Sequence, residues 1–597
     1  MKFRFGLMIV GLIFVGLTQL VYAQCPQICD GVANTSLGSG ALFNLNSGLN
    51  NTAVGYNALF KNTAGSYNTA MGAFALLFNV TGDNNTAIGQ RALYNNTDGD
   101  NNTALGDSAL DFNTSGNSNT AVGLNALHSN TIGGANTASG ALSLYYNTTG
   151  SNNTATGMDA LVNNTTASNN TATGVYALYS NTTGSSNTAI GASSLYHNTT
   201  GTINTASGTN ALTSNTTGSF NTATGVSALQ TNTTGGSNTA TGANALFANT
   251  TGSTNTAMGL SALASNTTGT ANTAHGTTAL LDNTTGSYNT AVGRDAMNNN
   301  TTGNFNVASG YQALFTSTTG SSNTAHGYLA LQASTTGNFN VGVGANSLQS
   351  NTTGINNAAV GGFALFTNNI GMNNTALGGN ALYNTTGSSN TALGASAGAD
   401  LTAGSNNIDI GNRGVAGESG VTRIGTTGTQ TSTYVAGVWQ APITGTAASV
   451  RVNSSGKLGT VPSSARYKEA IKPMGKASEA ILALQPVSFR YKKELDPKGT
   501  SQFGLVAEEV AKVNPELVVA DEEGKPFTVR YEEVNAMLLN EFLKEHRKVE
   551  EQTCINQQQE ATIARLEAAL NEQADKIQKV CAQLAAVQNG GRLVLNE

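Results

Sequence analysis

Apolar and polar positions recur along most of this chain with a period of seventeen residues. Leucine fills one column from Leu42, Leu59 and Leu76 through to Leu382, twenty-one places in which Met297 is the only substitute. An asparagine opens each unit at 34, 51, 68 and onward to 374 without a slip; one residue is then lost before Asn390, and Asn407 closes the series. A repeat this regular specifies stacked supersecondary units. Copies within one chain also report which columns face inward, because a buried column drifts less than an exposed one. The column of Val54 reads Val, Met, Ile, Leu, Ser, Thr and, at 275 and 326, His, which places it on the outside. Strand alternation then puts Thr52 on the same outer face and Asn51, Ala53 and Gly55 on the inner one, where stacked asparagine side chains can bond along the ladder. Leu59 is the expected apolar plug. The Asn-Thr-Thr-Gly stretch, as at Asn181 to Gly184, carries turn chemistry, with the glycine free to adopt positive φ. Each unit reads as strand, corner, short buried Ala-Leu step and turn.

A unit with one Leu and a few Ala cannot hold itself together, so units must stack or intertwine. The expected fold is a mainly β repeat solenoid or β-roll over residues 34–411, on the order of 110 Å long at ~4.8 Å per coil. So small a core per coil favours three chains wound together over one. The repeat resembles the head of trimeric autotransporter adhesins, whose Asn-Ser-x-Ala-x-Gly units form such a roll, and Asn51 to Gly55 match in kind. Many Asn-x-Thr triplets also fit the glycosylation acceptor pattern, but they follow the period and read as ladder and turn residues. No paired carboxylates, activated nucleophile or phosphate-binding loop stands out from the repeats.

The period dissolves after Gly411 into a β-rich neck, 412–462, that contains Trp439. Four ordered motifs follow: Ser463-Ser-Ala-Arg-Tyr-Lys468-Glu-Ala-Ile471, Leu484-Gln-Pro-Val-Ser-Phe-Arg-Tyr491, Phe503-Gly-Leu-Val-Ala-Glu-Glu-Val510 and Asn514-Pro-Glu-Leu517. They resemble the intramolecular chaperone auto-processing domain of endosialidase-type phage tailspikes, which here spans 463–531 and implies a small α+β fold. In that family the chain is cut immediately before a serine lying five residues ahead of a lysine, once three chains have assembled. The resemblance therefore implies Ser463 as nucleophile, Lys468 as its base and a cut between Pro462 and Ser463. Family members often carry Asp after the serine; Ser464 stands there instead and is a second candidate nucleophile. From 532 to 589 the pattern turns helical. Leu538, Phe542, Val549, Ile563, Leu566, Leu570, Ile577, Val580, Leu584 and Val587 hold heptad a and d spacing, and the stretch is expected to be a trimeric coiled coil ahead of a short tail, 590–597. Gln552, Asn556, Gln559 and Gln573 fall in its core.

Charge sharpens the division. Residues 31–450 hold 5 Lys and Arg against 11 Asp and Glu, whereas 451–597 hold 20 and 21. The net charge of −6 is spread without a basic cluster, which excludes nucleic acid as a partner. Lys2 and Arg4, an apolar run from Phe5 to Leu20, and Val21-Tyr22-Ala23 form a signal peptide over 1–23, so the mature chain is expected to be secreted or on the cell surface with no membrane span. Cys25 and Cys29 mark a short segment, 24–33, while Cys554 and Cys581 fall outside the heptad seam. His128, His197, His275, His326 and His546 lack companions at ligand spacing, so no metal and no cofactor is expected.

The functional expectation is an exported fibrous protein, a self-associating homotrimer that adheres to an unidentified surface ligand. Its enzymology is at most one turnover of self-cleavage by a Ser-Lys dyad. Two other readings remain: an ice-binding repeat with Thr52-type threonines templating water, and a phage-derived tail fibre whose C-terminal foot never cleaves.

Overall fold

The computed structural model describes residues 33–438, 444–521 and 523–589. The expected signal peptide, Cys25, Cys29, Trp439 and the 590–597 tail lie outside them. The chain divides after Val438 into two compact units.

The first unit is a β-solenoid. Three-residue strands, from β1 (Thr35–Leu37) to β24 (Thr422–Ile424), form one parallel 24-stranded sheet, each strand pairing with its sequence neighbours. The register repeats the unit: Thr52 lies beside Thr69, Ala53 beside Ala70 and Val54 beside Met71. Asn51, Ala53, Ala58 and Leu59 are wholly buried, while outer-column residues such as Ile190 and Met258 stay exposed. The faces of Asn51, Ala53 and Leu59 and of the Val54 column are therefore those expected, whereas Gly55, just past the strand at φ 137°, is only half-buried.

Two expectations need correction. The core does not require three chains, because the Leu and Ala columns lose all solvent contact within one. Tight corners make this possible. Every coil but the first and last places three non-glycine residues in the left-handed region, as at Asn57 (φ 54°), Leu59 (φ 50°) and Tyr67 (φ 59°), and folds its 17 residues around a cross-section that one Leu and two Ala fill. A left-handed residue costs ~1–2 kcal/mol. Burying a Leu returns ~2 kcal/mol, and the Leu59 N–H also donates to the Ala75 carbonyl of the next coil at 3.0 Å.

The second correction concerns the turn glycine. Gly184 does not take positive φ; its smallness matters instead, since a Cβ there would sit 2.3 Å from the Gly201 carbonyl oxygen and 2.6 Å from Asn181 Oδ1. One coil carries Ala167 in this column and keeps the Asn164 bond to its carbonyl, at 3.0 Å.

Two asparagine ladders, not one, run through the interior. Asn187 N–H donates to Asn170 Oδ1 at 2.9 Å, and Asn181 Nδ2 donates to Asn164 Oδ1 at 2.9 Å. Both ladders close on one acceptor, because the Gly184 carbonyl receives Asn170 Nδ2 at 3.0 Å and Asn181 Nδ2 at 2.9 Å. Buried amides are costly unless satisfied, and here most are bonded along the stack in a chain that polarises cooperatively; Ser317 and Ser334 interrupt the turn ladder, and Asn300 Oδ1 and Asn368 Oδ1 have no partner among the described residues. The Asn-Thr-Thr asparagines thus commit their Nδ2 groups to the core.

The stack ends on a buried charge. Asp409 takes the alanine column's place, in register with Ala392 on one side and Arg423 on the other. It is wholly buried, and among the described residues neither carboxylate oxygen has a partner. Burial pushes its pKa up to about 6; the Glu418 charge adds to the rise and Arg423 opposes it. Arg423 is held by Glu418, with Nη2 to Oε2 at 2.7 Å. The folded state therefore binds this proton more tightly than the unfolded chain, and stability falls as pH rises from about 4 to about 6. Asp409→Ala is expected to stabilise the terminal coils by about 3 kcal/mol more above pH 6 than below about pH 4. Hydrogen exchange of those coils, corrected for its intrinsic pH dependence, measures this. An unchanged difference across that range would refute it.

The second unit is small and α+β. A hairpin of β25 (Arg451–Val452) and β26 (Leu458–Gly459) precedes the antiparallel pair β27 (Val487–Phe489) and β28 (Gln502–Gly504). Helix α1 (Ala507–Val513), the antiparallel pair β29 (Val518–Ala520) and β30 (Pro526–Val529), and the long helix α2 (Tyr531–Asn589) complete it. Val510, Leu517, Val529 and Met537 form its buried core, with Ile481, Leu484 and Val534 against them. The heptad residues of α2 are exposed, Leu566 at 64% and Leu570 at 70%, so the helix is present and a single chain leaves its seam uncovered. No described helix is long and apolar enough to cross a membrane.

Candidate functional site

The segment entering the second unit carries the residues singled out by sequence. Ser464 precedes a single 3-10 turn, Ala465–Tyr467, and Lys468 ends it, its backbone N–H donating to the Ala465 carbonyl at 3.0 Å. Arg466 lies over the Tyr467 ring, 4.9 Å from its centre. Ser463, Ser464 and Lys468 are all exposed, and among the described residues neither hydroxyl is hydrogen-bonded to the lysine amine. The turn places the three on one short arc without joining them.

The motifs downstream build the body that carries this arc. Glu508 and Glu509 in the first turn of α1 and Lys512 in its last suit the helix dipole. Asn514 caps the next turn, its Oδ1 accepting the Glu516 N–H at 3.0 Å with Pro515 at the first position, a pairing that starts helical turns. The glycine of the Phe-Gly-Leu motif has a specific cause: a Cβ on Gly504 would stand 2.9 Å from the Tyr531 hydroxyl oxygen. That hydroxyl accepts the Leu505 N–H at 3.1 Å, which ties the strand to the start of α2.

A polar cluster not foreseen from sequence fastens the 3-10 segment Gly475–Ala483 to α2. Ser478 is wholly buried and donates to Glu541 Oε1; Asn540 Nδ2 donates to Ser478 Oγ at 2.6 Å and Lys544 Nζ to Glu541 Oε1 at 2.7 Å. Lys544, then Ser478, holds the Glu541 carboxyl below the usual carboxylate range, and Glu541 raises the lysine in turn. Only the Glu541-Lys544 spacing on one helix face was legible. Ser478 lies 63 residues away, and nothing in its local pattern announces a buried hydroxyl.

The surface of this unit is unusually apolar for so small a core. Phe503 is 86% exposed, Leu495 76%, Phe527 74% and Leu482 73%. Large apolar side chains left in water in this way are available for another chain to cover.

Residues 463–519 match the Peptidase_S74 family model, chaperone of endosialidase. The match begins at Ser463 and takes in all four motifs. A chaperone of this type implies trimerisation. No curated protein and no solved structure matches the chain; the resemblance of the repeats to adhesin heads thus stands on their pattern alone.

Proposed function

We propose that this chain is an exported, trimeric fibrous protein of a surface, adhesive in function, whose C-terminal module aligns three chains and then cuts itself away between Pro462 and Ser463. The observation that carries the reading is the chaperone match beginning at Ser463. The exposed apolar side chains of the second unit and the uncovered seam of α2 supply the surface that assembly needs. The solenoid supplies the fibre.

The cleavage is a single-turnover acyl transfer. Ser463 Oγ attacks the Pro462 carbonyl carbon while Lys468 takes the hydroxyl proton; the Pro462–Ser463 amide bond breaks and the freed Ser463 amine is protonated. The product is an ester between the Pro462 acyl group and Ser463 Oγ. Water opens it, leaving a Pro462 carboxylate and a fragment that starts at Ser463. A lysine serves as a base near neutral pH when burial disfavours its charged form. Lys468 is exposed in one chain, so a neighbouring copy must cover it, and assembly gates the chemistry.

Mass spectrometry of the full chain under native and denaturing conditions tests both halves. The expected result is a native trimer and a denatured fragment of residues 463–597. A full-length trimer would favour the non-cleaving foot, and a full-length monomer would overturn the reading. Ice binding gains no support: Thr-Ala-Thr strands are paired at 154–156 with 171–173 and at 222–224 with 239–241, but exposed Ile190 and Met258 flank these patches and break the array.

A further inference from the structure

The one lost residue in the repeat leaves an asparagine of the turn ladder on the surface. In the coil that follows Asn374, the buried asparagine of the turn ladder is replaced by Thr385, itself wholly buried. Its displaced counterpart, Asn384, stands on the surface, where Nδ2 donates to the Ala399 carbonyl at 3.0 Å. Beside it lies an open cleft of about 360 Å³ lined by Phe363, Tyr383, Asn380, Asn384, Ser396 and Arg413.

The lining has a definite chemistry. Two aromatic rings meet there at 6.4 Å between centres, tilted by 45°, and Phe366 stacks behind Tyr383 at 5.1 Å, fixing its ring. Two amides, a hydroxyl and a guanidinium share the cavity with them. Arg413 already gives Nε and Nη2 to Asp400, at 2.8 and 2.7 Å, so its charge is matched and its remaining N–H groups are donors without a net-charge requirement. Apolar ring faces beside several uncharged donors and acceptors suit a ligand with an apolar C–H face and a rim of hydroxyls. A volume of this size lies in the range of small-ligand sites. An acidic ligand would compete with Asp400 for the guanidinium, and a wholly apolar one would strand the amides.

We infer that this cavity binds a neutral saccharide unit, with Tyr383 and Phe363 as stacking surfaces and Asn380, Asn384 and Arg413 as hydroxyl partners. The inference rests on the adhesive reading and names its site and ligand chemistry.

The repeat provides substitutions that leave the fold intact. Ala264 occupies the Tyr383 column in another coil, so Tyr383→Ala is accepted. Phe363 has φ 58°, and Asn holds its column at 57, 125, 210, 244, 346 and 380, so Phe363→Asn suits the left-handed backbone. The test is saturation-transfer NMR on the full chain with glucose, galactose and N-acetylglucosamine as probes and glucuronic acid as the charged comparison. At least one neutral sugar is expected to bind with Kd on the order of 1 mM, weakened at least about tenfold by each substitution and unchanged by Tyr311→Ala on another column. Binding unaffected by Tyr383→Ala and Phe363→Asn, or preference for glucuronic acid, would overturn the site. So would silence from every probe at about 10 mM by a chain that still adheres to cells, which would leave the adhesive reading standing. A chain that neither binds sugar nor adheres would remove both.

Discussion

Replacing Leu178 and Leu195 together by Asp is expected to open the solenoid around those coils and expose it to protease. Both side chains are wholly buried in successive coils. Each substitution removes a plug, at ~2–5 kcal/mol, and leaves a carboxylate that must either stay charged without a partner or take up a proton, at several kcal/mol more. The pair sums to on the order of 10 kcal/mol, more than coupling to flanking coils can absorb where stability is a sum of neighbour terms. Limited proteolysis with mapping of the cut sites is the measurement, and new cuts should cluster at these coils. Leu178→Met with Leu195→Met is the matched comparison, because Met297 already fills the column at zero exposure. Resistance equal to wild type in the Asp pair would contradict a closed single-chain core.

Ser463→Ala and Lys468→Ala should each leave the chain at full length while it still assembles, a fall in cleavage on the order of a thousandfold or more. Roles separate because assembly rests on the core around Val510 and on α2, whereas bond cleavage needs only the hydroxyl and its base. Leu566→Asp with Leu570→Asp should abolish trimer and fragment together, since those exposed side chains are what a seam would bury. Native mass spectrometry and N-terminal sequencing of any fragment decide the matter. Cleavage by a monomeric α2 variant would contradict assembly-gated processing, and a fragment starting at Ser464 would transfer the nucleophile's role.

Much of the solenoid could be read before its coordinates. Column variation separated the Ala53 and Leu59 interior from the Val54 exterior because burial restricts what a position tolerates, and a repeat samples each position many times. Strand alternation placed the first asparagine ladder for the same reason. The second ladder was hidden, because Asn181 also explains itself as a turn residue and only the stack shows it bonded to Asn164. The number of chains in the core was not legible, because area per coil does not disclose the left-handed corners and no residue preference shows that a leucine will sit at φ near 50°.

In the second unit the four motifs and the heptads were local patterns, so helix, turn and chaperone resemblance were all accessible. The Ser478-Glu541-Lys544 cluster was not, since it joins groups distant in sequence. The sequence by itself determined the period, the inward columns, the two-part division at the change in charge density and the candidate pair Ser463 and Lys468. The first three follow from local chemistry or from repetition, and the pair from the family resemblance of the motifs around it. Tertiary structure alone decided that one chain closes the repeat core, that Asp409 is entombed with no partner among the described residues, and that a lined cleft lies beside Asn384. Those outcomes depend on how successive coils approach each other in space, and that spacing is set by backbone corners and hydrogen bonds between coils.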